Sequence, residues 1–243
     1  MAEFGLIGKQ IAYTFSESYF SEKFKKEALP FSYKTFDLNT IEAFSTLIQK
    51  HSFKGLNVTI PYKEAIIPFL DSLDYTAQAI GAVNTLKFKG SQIIGYNTDY
   101  IGFTNSLKPY LPALPKRTAL VLGTGGAAKA IVYALTQLNF KITLVSRTAT
   151  QHVLSYSALT ALELAKHFLV VNCTPLGTSP NSSQYPNIPF EGFTKVHLAY
   201  DLIYNPAETT FLKRAKMQGA QTCNGYNMLI GQAEAAWKIW NQS

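Results

Sequence analysis

Apolar residues along this chain fall into two alternating patterns, short continuous runs and longer stretches that repeat once per helical turn. Buried parallel strands and the helices that cover them read this way. Phe4 to Gly8 predicts a short buried strand, and Phe20, Phe24 and Ala28 then recur on one face of a helix. Phe31 to Asp37 reads as extended, and Asn39 with Glu42 resembles a capping box opening a helix with Ile41, Phe44, Leu47 and Ile48 turned inward. Gly55 to Ile60 predicts a third strand, with Pro61 suited to the first turn of the next helix. Thr85 to Phe88 and Gln92 to Gly95 flank Lys89-Gly90-Ser91, a hairpin that adds antiparallel strands to a mainly parallel sheet. This first unit ends near residue 100.

The stretch from Lys108 to Lys116 is interrupted by Pro109, Pro112 and Pro115 and predicts a loop before a second α/β unit. Thr118 to Leu122 is then a strand, Gly126 to Leu138 a helix and Lys141 to Val145 a strand, with Phe168 to Asn172 a further inner strand. Ser179 to Pro186 is a polar loop. The last helix, from about Tyr226 to Trp240, carries Leu229, Ala233, Ala236, Trp237 and Trp240 on one side.

With 243 residues and 47% hydrophobic content, the chain is long enough for one large domain or two compact ones. That composition excludes disordered and collagen-like classes. No apolar stretch approaches the roughly 20 residues a membrane span needs, and the opening Met1 to Gly8 lacks a basic leader. Cys173 and Cys223 form no CxxC, and His51, His152, His167 and His197 are scattered without ligand spacing. Neither a disulfide framework nor a metal site is expected. A reducing, cytoplasmic setting fits this usage. The net charge of +7 is dispersed, with Lys23, Lys25 and Lys26 forming only a small helical cluster. It reads as a solvated face without a nucleic-acid groove, or as a field that attracts anionic metabolites and phosphate-bearing cofactors.

Gly123-Thr124-Gly125-Gly126-Ala127-Ala128 fits G-x-G-x-x-A between a predicted strand and a predicted helix. That context sets backbone N–H groups and the positive end of a helix against a pyrophosphate. NAD binders usually place an acid at the end of the second strand, where this chain has Ser146-Arg147-Thr148, and no Asp or Glu occurs between Asp99 and Glu163. A guanidinium flanked by two hydroxyls favours a 2′-phosphate, hence NADP(H). The alternative is a solvated Arg147 at a strand end.

Lys63 and Asp99 close the phrases Gly55-Leu56-Asn57-Val58-Thr59-Ile60-Pro61-Tyr62-Lys63 and Gly95-Tyr96-Asn97-Thr98-Asp99. Beside a nicotinamide, an amine and a carboxylate suit alcohol–ketone redox chemistry. An unperturbed lysine is a poor base near neutrality, so this role needs a lowered pKa or a proton-relaying partner. The plain alternative is a surface lysine and a helix-capping aspartate.

These phrases, in order, resemble the shikimate dehydrogenase family over nearly the whole chain. They are joined by Gly81-Ala82-Val83-Asn84-Thr85, the Gly123 turn, Val171 to Gly177, Asp201 to Pro206 and Asn224 to Ala233. The resemblance implies a Lys63/Asp99 dyad, and Thr59, Asn84, Tyr204 and Gln232 on the hydroxyls of a cyclohexene acid. Thr14 and Ser16 correspond to paired hydroxyls that grip its carboxylate, while Gln10, Tyr13 and Glu17 depart from the family's pattern. Gly123, Thr124, Gly125, Gly126, Ala127, Ser146, Arg147 and Thr148 would hold NADP(H), with Leu202 and Gly225 approaching the nicotinamide. The region from Ala149 to Ala165 is short for the family, which implies an abbreviated or missing crossover helix.

The expected fold is two-domain α/β. A mixed, mainly parallel-sheet substrate-binding catalytic domain would span 1–101 and 226–243, and a Rossmann-type NADP-binding domain 102–225, both lining one cleft. The expected activity is reversible NADPH-dependent reduction of 3-dehydroshikimate to shikimate for chorismate and aromatic amino acid biosynthesis. The partner is a small molecule, with no nucleic acid or membrane, and the state a monomer or homodimer. A quinate/shikimate dehydrogenase of broader specificity and a non-catalytic binding paralogue are the alternatives.

Overall fold

Strand and helix alternate through the first part of the computed structural model, which describes residues 2–11 and 15–242. The order is β1 (Ala2–Gly8), α1 (Phe15–Lys26), β2 (Phe31–Asp37), α2 (Ala43–Lys50), β3 (Phe53–Val58), α3 (Tyr62–Ala65), β4 (Ser72–Leu73), α4 (Tyr75–Ile80), β5 (Thr85–Lys89) and β6 (Gln92–Tyr96). By contacts the chain divides into two units, Met1–Thr98 with Ala233–Ser243, and Asp99–Gln232.

The first sheet has the order β2-β1-β3-β5-β6-β4. β1 is parallel to β2 and β3, β5 is antiparallel to β3 and β6, and β4 is parallel to β6. β1 is buried from Phe4 through Gly8, as a strand covered on both faces must be. Its alternate side chains feed two cores. Phe4 and Leu6 join Phe20, Phe24, Tyr33, Ala236 and Trp240, while Ile7 joins Phe44, Leu56, Val58, Tyr62 and Leu86.

Trp240 is seated on β3 because position 55 has no side chain. A Cβ there would lie 2.2 Å from the indole Nε1, which instead donates to Leu86 O at 2.9 Å. The indole also packs on Phe4 with ring centroids 4.9 Å apart.

Three expected local features differ. α1 stops at Lys26 because Ala28 turns left-handed at φ 52° and the Leu29 N–H closes back on Phe24 O at 2.9 Å, a Schellman-type end. Ala28 therefore leaves the helical face and is exposed. α2 begins only after Glu42 and has no side-chain cap. The Glu42 carboxylate is engaged by the Thr40 side chain, which lowers its pKa, so no capping box with Asn39 forms. The proline-studded stretch coils as a 3₁₀ helix, Lys108–Ala113, where Pro109 in the first turn needs no N–H partner and Pro112 lies inside.

The second unit continues with α5 (Asp99–Leu107), β7 (Thr118–Leu122), α6 (Gly126–Gln137), β8 (Lys141–Ser146), β9 (Val153–Ser155), α7 (Ala161–Leu164), β10 (Leu169–Asn172), β11 (Leu198–Asp201), α8 (Thr210–Met217), β12 (Gln221–Cys223) and α9 (Tyr226–Asn241). From Ala233 onward, α9 belongs to the first unit. The sheet order is β12-β11-β10-β7-β8-β9, parallel throughout its strand pairings. This is the doubly wound Rossmann-type order, reversing between β10 and β7.

Phe103, Ile131, Leu135 and Tyr200 fill one core, and Leu120, Val145, Leu164 and Phe211 fill another. β8 reaches β9 through Arg147–His152 without a helix, and α7 is a single turn of four residues. The crossover is accordingly abbreviated. No helix among the described residues is long and apolar enough to cross a membrane.

Gly55→Ala should force Trp240 off its seat and lower unfolding free energy by about 1–3 kcal/mol, the usual cost of overpacking. Urea denaturation followed by tryptophan fluorescence measures it, and an unchanged midpoint would show the contact to be slack.

Candidate active site

At one edge of the first sheet lie the carboxyl ends of β1 and β3 and the start of β5. There the Thr59 N–H donates to Ile7 O (2.9 Å), the Val58 N–H to Asn84 O (2.9 Å) and the Val83 N–H to Lys63 O (2.7 Å). These bonds hold Thr59, Lys63 and Asn84 along that edge. Buried Tyr62 donates its hydroxyl to Leu38 O at 2.7 Å, anchoring the turn that carries half-buried Lys63. Asn84 Oδ1 accepts from the Thr98 N–H at 2.7 Å and from the Thr85 hydroxyl at 3.0 Å. Its Nδ2 donates to Thr98 Oγ1 at 2.9 Å. Ser16, buried in the first turn of α1, bonds to the Tyr33 phenol.

Within the second unit, the glycine turn lies where the strand order reverses. Gly123 adopts φ +104°, and a Cβ there would come 3.3 Å from the Thr174 methyl in the loop after β10. Its N–H donates to Val145 O at 2.8 Å. α6 starts at Gly126 without a side-chain cap, and a Cβ on Gly125 would meet nothing within 4 Å. The helix N-terminus and turn are open to an anionic group, which fits a dinucleotide pyrophosphate.

After β8, Ser146 Oγ donates to Thr148 O at 2.5 Å, folding the strand end so that Arg147 and Thr148 are exposed. Gly225 and Leu202 are pressed together, since a Cβ on Gly225 would sit 1.9 Å from Leu202 O. Tyr156 follows β9, which pairs Ser155 with Ser146 of β8. Its buried hydroxyl has no hydrogen-bond partner, and burial pushes it up to about 12.

A polar network ties the ends of β10 and β11. Asp201 is fully buried, with Oδ1 accepting from Asn172 Nδ2 (3.0 Å) and the Ile203 N–H (3.1 Å), and Oδ2 from Thr209 Oγ1 (2.6 Å). Asn172 Oδ1 in turn accepts from the Thr174 N–H (3.0 Å) and hydroxyl (2.7 Å). Those three bonds favour the carboxylate, but burial outweighs them and pushes Asp201 up to about 7. Burial first, and Asp201 second, also push up the Cys173 thiol.

Residues 6–86 match the model of the shikimate dehydrogenase substrate binding domain. A Clostridium botulinum protein named shikimate dehydrogenase (NADP(+)) is 41% identical, covering 97% of this chain and 95% of its own. The chain belongs to the shikimate dehydrogenase family. The Aquifex aeolicus shikimate dehydrogenase structure aligns with TM-score 0.88 at 34% identity, over 99% of this chain and 92% of that one. A Thermus thermophilus shikimate 5-dehydrogenase, solved with NADP(H) and shikimate, aligns with TM-score 0.87 at 31% identity over 99% and 94%.

Among the residues that family resemblance singles out, Ser16, Thr59, Lys63 and Asn84 lie in the first unit, while Asp99, Tyr204 and Gln232 lie in the second. Asp99 is buried in the first turn of α5. Tyr204 is half-buried after β11, and Gln232 is buried on α9 with Nε2 donating to Leu229 O at 3.0 Å. Thr14 lies outside the described residues. Ser146 ends β8, and Gly123 to Ala127, Arg147, Thr148, Leu202 and Gly225 follow strand ends at the carboxyl edge of the second sheet.

Sequence reasoning passed over Tyr33, Thr209 and Tyr156. Thr209 carried a legible signal, a threonine three residues before Leu212 at a helix start, and its hydroxyl does accept the Leu212 N–H at 3.3 Å.

Because the folded pKa of Asp201 lies above its unfolded value, the folded state holds the proton more tightly. Its contribution to stability is full below about pH 4, falls as pH rises towards about 7, and is flat beyond. Asp201→Asn mimics the protonated form. The wild-type minus variant unfolding free energy, from urea titrations across pH 4–8, should fall over that window and level off; a pH-independent difference would rule out the shift.

Proposed function

We propose that this protein is a shikimate dehydrogenase that reversibly reduces 3-dehydroshikimate to shikimate with NADPH, in chorismate and aromatic amino acid biosynthesis. It is an oxidoreductase acting on a CH–OH group. The observation that carries the reading is the 41% identity along 97% of the chain to a shikimate dehydrogenase (NADP(+)), with both Lys63 and Asp99 present. Residues 1–101 with 226–243 form the substrate-binding catalytic domain, and residues 102–225 form the NADP(H)-binding domain. The protein acts in the cytoplasm as a monomer or homodimer on this small molecule, without nucleic acid or membrane.

Gly123, Thr124, Gly125, Gly126 and Ala127 hold the pyrophosphate, Ser146, Arg147 and Thr148 the adenosine phosphate, and Leu202 and Gly225 face the nicotinamide. When bound, NADPH supplies the hydride. Lys63, protonated, gives its proton to the carbonyl oxygen in reduction and takes it back in oxidation. Asp99 orients the ammonium and accepts from the substrate hydroxyl. Thr14 and Ser16 donate to the ring carboxylate, and Thr59, Asn84, Tyr204 and Gln232 bond the ring hydroxyls.

A NADPH absorbance assay with 3-dehydroshikimate tests the activity directly, and absence of turnover would leave a binding paralogue. A parallel comparison of kcat/KM for shikimate and quinate sets the breadth of specificity, since an extra hydroxyl must find a partner. Lys63→Ala should lower kcat by roughly 10²–10⁴ with little change in substrate affinity, the mark of lost proton transfer; near-normal turnover would remove Lys63 from the role. Arg147→Ala should cut the ratio of kcat/KM for NADPH over NADH roughly 10- to 100-fold, as expected for losing hydrogen bonds to a charged phosphate. An unchanged ratio would sink the 2′-phosphate assignment.

A further inference from the structure

Tyr33 stands in the middle of β2 with 4% exposure, its ring stacked on Phe20 at 4.7 Å. It has no substrate or cofactor role of its own above, although its phenol also bonds to Ser16. Its hydroxyl donates to Asn57 Oδ1 at 2.7 Å, inside the core of the first unit. Asn57 cannot reverse its carboxamide there, because Nδ2 faces a backbone carbonyl, Asn84 O, at 3.2 Å, and a carbonyl only accepts. The same Nδ2 donates to Thr85 Oγ1 at 3.3 Å. Thr85 passes the polarity on, donating to Asn84 Oδ1 at 3.0 Å. The Thr98 N–H, an obligate donor, reaches that same oxygen at 2.7 Å.

Donors in this string therefore run one way, from Tyr33 through Asn57 and Thr85 to Asn84, and each member is buried. Such a network is strong when complete and costly when one link is missing, because none of its groups can turn to water. A tyrosine in this place has a plain alternative, filling the aromatic core beside Phe20 and Trp240. The 2.7 Å bond to a carboxamide whose orientation is dictated from its other end is more than that role requires.

Resting on the proposed role of Asn84 as a ligand of a ring hydroxyl, we infer that Tyr33 is a positioning residue for the substrate, acting through Asn57 and Thr85 on the Asn84 carboxamide. Without the phenol oxygen, Asn57 Oδ1 is left without its donor. The carboxamide loses the bond that fixes its far end and shifts, which loosens the Nδ2 bonds to Asn84 O and Thr85 Oγ1. The disturbance reaches Asn84 and Thr98 along the string and Ser16, which loses its phenol partner, all within the first unit. The glycine turn that holds NADP(H) is not reached.

Tyr33→Phe keeps the stacked ring and removes only the hydroxyl. Steady-state kinetics of the full chain should show KM for 3-dehydroshikimate raised roughly 5- to 30-fold, the effect of one buried partner lost. In the same assay kcat should stay within about threefold and KM for NADPH within about twofold. With Ser16→Ala present throughout, so that the phenol's bond to Ser16 is already lost, adding Asn84→Ala should shrink the effect of Tyr33→Phe below about twofold, because both then act on one contact.

An unchanged substrate KM, a rise shared equally with NADPH, or fully multiplicative effects with Asn84→Ala would each overturn the inference. If Tyr33→Phe does not fold, Thr85→Val breaks the next link of the string and is held to the same readouts. Failure of the wild-type chain to reduce 3-dehydroshikimate would fell the proposed activity instead, and is seen before any variant is made.

Discussion

Asn84 Oδ1 accepts the Thr98 N–H at 2.7 Å, and because both groups are sealed from water, that bond cannot be exchanged for one to solvent without opening the sheet edge. Around it, Val58 bonds back to Asn84 O and Asn57 reaches both Asn84 and Thr85. The start of β5, the end of β3 and the residue preceding Asp99 are thus fixed to one another by side chains as well as by the ladder. Apolar burial holds the sheet together, but it is non-directional. Backbone bonds set Thr59 and Lys63 along the edge, and the hydrogen-bonded carboxamides and hydroxyls fix Asn84 beside them.

The second unit solves a similar problem with a different group. Asp201 joins the end of β11 to β10 through Asn172 and to the start of α8 through Thr209, and so shapes the loop that comes against Gly123. A buried acid is an expensive tie, since burial raises its pKa despite three donors. It gives what an apolar contact cannot, three bond directions from one side chain. In both units the carboxyl edge of the sheet is built on polar groups hidden from water.

The end of β8 is the most economical part of the chain. β8 passes to β9 without a covering helix, and Arg147 and Thr148 stand exposed where that helix would begin. Under the proposed function, selection for a 2′-phosphate would rest on Ser146, Arg147 and Thr148 at this strand end. Tyr156 lies beside this edge with its hydroxyl buried and unpartnered, and nothing in the fold accounts for it.

Hydrophobic spacing by itself determined the strands β1, β2, β3, β7, β8 and β10, the hairpin of β5 and β6, and the helices α1, α6 and α9, because each is a local period that burial on one or two faces imposes. The glycine turn was equally legible, its φ and its close approach to Thr174 being demands that only glycine meets. Short or polar elements were not. β4, β12 and α7 are too brief to show a period, α5 opens on the polar Asp99, and the ending of α1 at Ala28 turns on a single left-handed residue. Only the tertiary structure decided that Tyr33, on a different strand, would donate to Asn57, or that Asp201 would be buried among three donors. Such bonds join residues 24 or 29 positions apart, and no local pattern records which buried polar group will meet which.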